Sequence, residues 1–267
     1  MTTGRYRAIL SDMDGTVNRG RIPIKGSQSV YEQLSARGVR WVFLSNNASA
    51  LASELAGELN LLGIRVTEDQ VINSASVLIH TLKKEFLHSP VMVVGGPKLT
   101  NGLARHGIKI TEDPWRTDIV VTALDRTFSY EKLVRANTAI RNGARFWATN
   151  LDATYPAEDG LQPGAGCIAA AIATAVGRGP DKVFGKPSPD MAYLALEFLG
   201  LLPEACLVIG DRMETDILFA RNAGMDSALV LTGATSISDL DKYSFRPTYV
   251  LESIADLATT LDSAFPC

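Results

Sequence analysis

Asp12 and Asp14 stand two residues apart where the first apolar run of the chain gives out, directly ahead of Gly15-Thr16. A short apolar run bounded by a glycine predicts a buried strand rather than a helix. At the carboxyl edge of an open parallel sheet, which is where such folds bind ligands, two neighbouring acids repel each other. At 4 Å the opposition is roughly 4 kcal/mol for an effective dielectric near 20, so a cation has to offset it. Taken alone, Asp-x-Asp-Gly reads equally as a turn or a helix N-cap. Three further places carry polar residues that a core would exclude: Ser45-Asn46 after the apolar run 39–44, Lys186 after Val183-Phe184, and Asp211 after 205–209, with Asp216 five residues on. Each has a plain explanation by itself, as a turn residue, a solvated lysine or a helix-face carboxylate. Together, each beside its own strand, they compose a phosphate site: acids for a cation, a hydroxyl and amides for phosphate oxygens, and an ammonium as point charge.

The elements that must position these residues alternate along the chain. Residues 17–26, punctuated by Gly and Pro, predict a short hairpin or flap. A helix is predicted over 27–37, stopped by Gly38, then a strand over 39–44, in which Trp41 and Phe43 read as packing. Ser49 is placed to cap a helix with Leu51, Leu55, Leu59 and Leu62 on one face. A short strand at 71–72 and a helix over 75–86 follow. A second set begins after Pro90, with strands predicted at 91–94, 108–110, 118–123 and 144–148 and helices at 98–105 and 130–141. Pro163-Gly164-Ala165-Gly166 leads into an alanine-rich helix over 167–176. Ser188-Pro189 reads as a cap with proline in the first helical position. A strand over 205–209, a helix over 213–223 and strands at 228–231 and 249–250 complete the alternation. Strand–helix repetition of this kind predicts an α/β fold, a doubly wound (Rossmann-like) parallel sheet with helices on both faces.

The totals agree with an ordinary globular chain of 267 residues, 46% apolar and 21% charged. A net charge of −3 supplies no overall basic field for nucleic acid or acidic lipid. Cys167, Cys206 and Cys267 are odd in number and lack metal-ligand spacing, which suits a reduced setting. No stretch approaches a membrane span and residues 1–5 lack an apolar signal core, so a cytoplasmic protein is expected. Val93-Val94-Gly95-Gly96-Pro97 lacks the spacing of a nucleotide-binding glycine loop. His80, His88 and His106 lie in no metal-ligand spacing.

The four-part set resembles the haloacid dehalogenase-like (HAD) hydrolase superfamily, whose pattern is Asp-x-Asp-Gly-Thr, a Ser or Thr after the second strand, a Lys, and Gly-Asp followed by a further acid. Leu44-Ser45-Asn46-Asn47-Ala48-Ser49, Thr149-Asn150-Leu151-Asp152, Gly185-Lys186-Pro187, 210–217 and Leu231-Thr232-Gly233 resemble its NagD and p-nitrophenylphosphatase branch over essentially the whole chain. Leu151 departs from the branch, which often has proline there. The resemblance implies that Asp12 attacks phosphorus and becomes an aspartyl phosphate, and that Asp14 serves as acid and then base. It implies that Thr16 supports Asp14, that Ser45 and the Asn46 amide hold phosphate oxygens, and that Lys186 neutralises the phosphate and Asp12. The metal would be held by Asp12, the Asp14 carbonyl and Asp211, with Asp216 orienting from behind; all-oxygen ligation suits Mg2+ far better than Zn2+.

The stretch between Asn46 and Lys186 is longer than one crossover needs. An α/β cap is therefore expected as an insert at 88–181, within a catalytic core of 1–87 and 182–267. By resemblance the cap chooses the leaving group, with Asn150, Asp152 and the 163–166 turn facing substrate; as plain loop residues they have an equally ordinary reading. The expected function is a Mg2+-dependent phosphomonoesterase acting on a small phosphorylated metabolite: a sugar phosphate, a nucleotide or similar. Two alternatives share the site: a phosphotransferase or mutase using the same intermediate, and a low-turnover phosphoaspartate switch or phospholigand-binding module. No nucleic-acid or membrane partner is expected, and the resemblance is compatible with a homodimer through the cap.

Overall fold

A computed structural model describes residues 4–157 and 160–266, so Cys267 and the first three residues lie outside the described residues. The chain divides into two compact units: Met1–Ser45, Ala52–Ile72 and Lys186–Cys267 form one, Asn46–Leu51 and Asn73–Gly185 the other. The architecture is α/β, with parallel sheets connected through helices.

The first unit is built on a six-stranded sheet in the order Tyr249–Leu251, Asp226–Val230, Cys206–Gly210, Ala8–Asp12, Arg40–Ser45, Val71–Asn73. Ala8–Asp12 runs parallel to both its neighbours, pairing Leu10 with Val42 on one side and Val208 on the other. Cys206–Gly210 is buried along its whole length and Arg40–Ser45 along its middle, as strands covered on both faces must be. The chain moves outward from Ala8–Asp12 first to one side and then to the other. The reversal of strand order therefore falls between Ala8–Asp12 and Cys206–Gly210, the place where open α/β sheets bind ligands. Trp41 and Phe43 are buried and stacked at 5.9 Å, which is the packing role their alternation predicts.

The second unit has a four-stranded sheet in the order Lys182–Val183, Arg145–Ala148, Ile119–Thr122, Val91–Val94. Helices Tyr130–Arg141 and Ala165–Val176 pack with it around Phe146, Val120 and Ile172.

Three local expectations are corrected, and one strand pair goes unannounced by the sequence. Residues 108–110 contribute only an isolated bridge, Ile110 to Val91, because a run so short makes too few ladder bonds to persist as a strand. Thr154–Ala157 and Gly160–Pro163 form an antiparallel pair that no apolar alternation announces. Ser49 caps no helix: its N–H donates to Asn47 Oδ1 at 2.8 Å in a local turn, and the helix starts at Ala52. The helix after Ser188 starts at Asp190, with Pro189 as its cap residue. Among the described residues no helix is long and apolar enough to cross a membrane.

Candidate active site

Sheet register alone gathers three of the expected residues. Asp12 ends its strand opposite Leu44, so Ser45 is the next residue on the adjacent strand. Ser11 pairs with Ile209, which sets Asp211 just past the end of the strand on the other side. Neighbouring parallel strands lie about 4.8 Å apart, so residues leaving adjacent strand ends meet without any long side chain.

Asp12, Asp211 and Asp216 offer carboxylate oxygens that all lie within 4.8 Å of one another. The Lys186 ammonium donates to Asp12 Oδ1, and to Asp216 Oδ1 at 2.6 Å. Lys186 is 4% exposed, Asp211 3% and Asp216 1%, so these charges act on one another with little solvent between them. The wide turn that follows Asp211 explains how Asp216 returns to the cluster. Residues Met213–Ile217 form a π-helical turn, with the N–H groups of Asp216 and Ile217 both donating to Arg212 O. Such turns occur frequently at functional sites because they redirect one side chain within a continuing helix. Here the Asp216 Oδ2 accepts from Arg212 N at 3.1 Å, so both of its oxygens are engaged by the protein. The expected single helix over 213–223 is thus this turn followed by Leu218–Asn222.

Asp211 is fixed from the loop after Asp226–Val230. Ala234 N donates to its Oδ2 at 2.7 Å. A side chain on Gly233 would overlap that carboxylate, which gives the Thr232-Gly233 pair its physical reason. Gly15 adopts φ +84°, a left-handed conformation natural to glycine, and turns the chain after Asp14 so that Gly15 N donates to Asn18 O at 2.7 Å.

Asp14 lies at the surface end of this turn. Its Oδ1 accepts from Asn18 Nδ2 at 2.9 Å and from Gly20 N at 3.2 Å. The Thr16 hydroxyl is buried and finds no hydrogen-bond partner among the described residues, so Asn18 and Gly20 make the bonds that hold Asp14. Asn18 was not singled out from the sequence; its position four residues after Asp14 in a glycine-punctuated turn was the available signal.

Charge states follow from this packing. Burial raises the Asp12 carboxyl well above the ordinary range; Lys186 works against that and the two neighbouring acids reinforce it. Burial and then Asp216 push Asp211 up to about 6. Although Asp14 is exposed as a residue, desolvation of its carboxyl within the turn raises it, while Gly20 N, Asn18 and Arg212 oppose the rise. Burial by itself would lower Lys186, but Asp12 and Asp216 hold its ammonium above the ordinary value, so it stays charged. Three clustered carboxylates against one ammonium leave an excess of negative charge, and every donor is oxygen. That set fits a hard divalent cation such as Mg2+.

Asn46, Asn150 and Asp152 come together within the second unit. Asn46 Nδ2 donates to the two Asp152 oxygens at 3.1 and 3.2 Å, and Asn150 Nδ2 donates to Asn46 O at 2.8 Å.

Comparison with known proteins adds independent findings. Residues 9–109 match the haloacid dehalogenase-like hydrolase family and residues 183–257 the HAD-hydrolase-like family. The chain is 33% identical over 257 residues to an acid sugar phosphatase of Staphylococcus saprophyticus, covering 96% of this chain and 98% of that one. It is 35% identical over 256 residues to a dihydroxyacetone phosphatase of Corynebacterium glutamicum, covering 96% and 92%. The crystal structure of a 4-nitrophenylphosphatase from Thermotoga maritima superposes with a TM-score of 0.89 at 33% identity, covering 95% and 96%.

Proposed function

We propose a reaction for a phosphatase that belongs to the haloacid dehalogenase-like hydrolases, in their NagD and p-nitrophenylphosphatase branch: hydrolysis of small phosphate esters through an acyl phosphate of Asp12. The observation that carries it is the Lys186 ammonium on Asp12 at the carboxyl edge of a parallel sheet, with Asp211 and Asp216 alongside.

In this reading an Asp12 oxygen attacks phosphorus and the ester oxygen leaves, taking a proton from Asp14. Water then attacks the phosphorus of the aspartyl phosphate and gives its proton to Asp14, which releases orthophosphate and regenerates the Asp12 carboxylate. Splitting one displacement in two lowers each barrier. The upward direction of the Asp14 carboxyl supports its part, since it moves the group toward the working pH, where acid–base catalysis is most effective. Lys186 keeps its charge and opposes the repulsion between Asp12 and the incoming anion. Ser45 and the Asn46 amide are assigned to phosphate oxygens, and Asp216 to holding Lys186. Asp12, the Asp14 carbonyl and Asp211 would hold Mg2+, which when bound supplies positive charge against the phosphate dianion.

The insert at 88–181 is assigned as the cap that selects the leaving group. The names of the relatives, an acid sugar phosphatase and a dihydroxyacetone phosphatase, favour small sugar and triose phosphates as substrates. Homodimerisation through the cap belongs to the same reading and is tested by light scattering. The deciding experiment is phosphate release across a panel of sugar, triose, nucleotide and aryl phosphates, with and without Mg2+, for the wild type and Asp12→Asn. Metal-dependent release that vanishes in the variant is expected; a near-normal rate in Asp12→Asn would overturn the reading.

A further inference from the structure

We propose that Asp152 is a positioning residue that acts through the Asn46 side chain, rather than a contact to the leaving group. The inference rests on the reading above in one respect, that the Asn46 main-chain amide holds phosphate.

Asn46 is held at two points. Its side-chain NH2 donates to both carboxylate oxygens of Asp152, at 3.1 and 3.2 Å. Its main-chain oxygen accepts from Asn150 Nδ2 and from Ser74 Oγ, each at 2.8 Å. A residue anchored by both its carbonyl and its side chain has little freedom left to rotate its own N–H. An amide bonded to a carboxylate is charge-assisted and stronger than a neutral pair, so Asp152 is the firmer of the side-chain anchors.

Asp152 is itself fixed by the second unit. Its N–H donates to Asn150 Oδ1 at 3.1 Å and its carbonyl accepts from Gly166 N at 3.0 Å. Gly164 N donates to Ala153 O at 2.8 Å. A Cβ on Gly164 would overlap Asp152 O, and one on Gly166 would overlap Leu151 O. The two glycines of the 163–166 turn therefore let residues 151–153 lie directly on the first turn of helix Ala165–Val176. Gly185 serves the same cluster from the other side: a Cβ there would stand 2.7 Å from Asn46 Oδ1 and 2.8 Å from Asn150 Cβ. Three glycines thus make room for one hydrogen-bonded unit, Asn46–Asp152–Asn150. A carboxylate directed at an amide in this way is poorly disposed to meet an anionic substrate, which would be repelled by it.

The test is steady-state kinetics on an aryl phosphate and a triose phosphate, with orthophosphate inhibition and calorimetric orthophosphate binding, for Asp152→Ala, Asp152→Asn, Asn46→Ala and the double alanine variant. Orthophosphate has no leaving group, so it senses the phosphate subsite alone. Asp152→Ala is expected to weaken orthophosphate and to raise KM for both esters by a common factor of about tenfold, the scale of one lost charge-assisted bond. Asp152→Asn keeps an acceptor oxygen opposite Asn46 and should stay within about threefold of wild type. In the Asn46→Ala background, removing Asp152 should cost nothing further. The inference is overturned if the loss depends on the ester while orthophosphate binding is unchanged, if Asp152→Asn is as impaired as Asp152→Ala, or if the two alanine effects add in full. Should Asp152→Ala fail to fold, Asp152→Ser replaces it in the same comparisons. A wild type that releases no phosphate would remove the parent reading, and calorimetry would still test whether Asp152 and Asn46 are coupled.

Discussion

Asp216 Oδ1 accepts from the Lys186 ammonium at 2.6 Å, and both side chains are withdrawn from solvent. The other Asp216 oxygen is taken by Arg212 N, so this acid is a fixed counter-charge. It holds the Lys186 ammonium beside Asp12 and favours its charged form.

Lys186→Met should therefore do more than remove the proposed phosphate contact. It leaves Asp12 and Asp216 buried without their cation, and breaking a buried pair from one side costs about 3–5 kcal/mol. Urea unfolding of the metal-free variant is expected to show a loss of that order together with loss of phosphate release. An unchanged unfolding midpoint would mean that the pair contributes nothing to the folded state.

Asp12→Asn keeps the shape of the side chain and removes the proposed nucleophile. Turnover is expected to fall by on the order of 10³-fold or more. Circular dichroism and thermal melting should report an intact fold, because Lys186 retains Asp216 as its partner.

With Asp211 as the proposed metal ligand, metal binding and pH would be linked through its carboxyl. Its carboxyl, raised from 3.8 to about 6, binds more protons folded than unfolded between those values. Stability of the metal-free protein is therefore fully present below the lower value and is lost as pH rises through the window, by at most ~3 kcal/mol for this group. Mg2+ bound at the cluster should restore what is lost, raising Tm more at about pH 7.5 than at about pH 5. Equal Mg2+ shifts at the two pH values would contradict this.

Asn18→Ala removes a hydrogen bond that favours the ionised form of Asp14. The Asp14 carboxyl should rise further, so the alkaline limb of the kcat–pH profile moves to higher pH. A profile unmoved by the substitution would show that Asp14 is not the titrating acid.

Much of the first unit was legible in the sequence. Asp12, Ser45 and Asp211 each follow an apolar run, and a run that cannot end inside a core announces a strand end. Lys186 was read in the same way after Val183-Phe184, but the strand there, Lys182–Val183, belongs to the four-stranded sheet of the second unit, so that run does not explain its place beside Asp12. The antiparallel pair Thr154–Ala157 and Gly160–Pro163 was not, because neither segment has an alternating apolar face; they are held by pairing with each other. The break of the 213–223 helix into a π-helical turn escaped as well. The apolar spacing is that of a helix, and the difference lies in which carbonyl the Asp216 and Ile217 amides choose.

The kinds of residue at the strand ends, and the order in which the chain presents them, are properties of the sequence alone. So is the strand–helix alternation that argues for an α/β fold. The distances are not. That Lys186 reaches both Asp12 and Asp216, that Ala234 N seats Asp211, and that Asn46 is tied to Asp152 depend on register between segments far apart in the chain. Register and side-chain direction are settled by packing of the whole core, which no local pattern encodes.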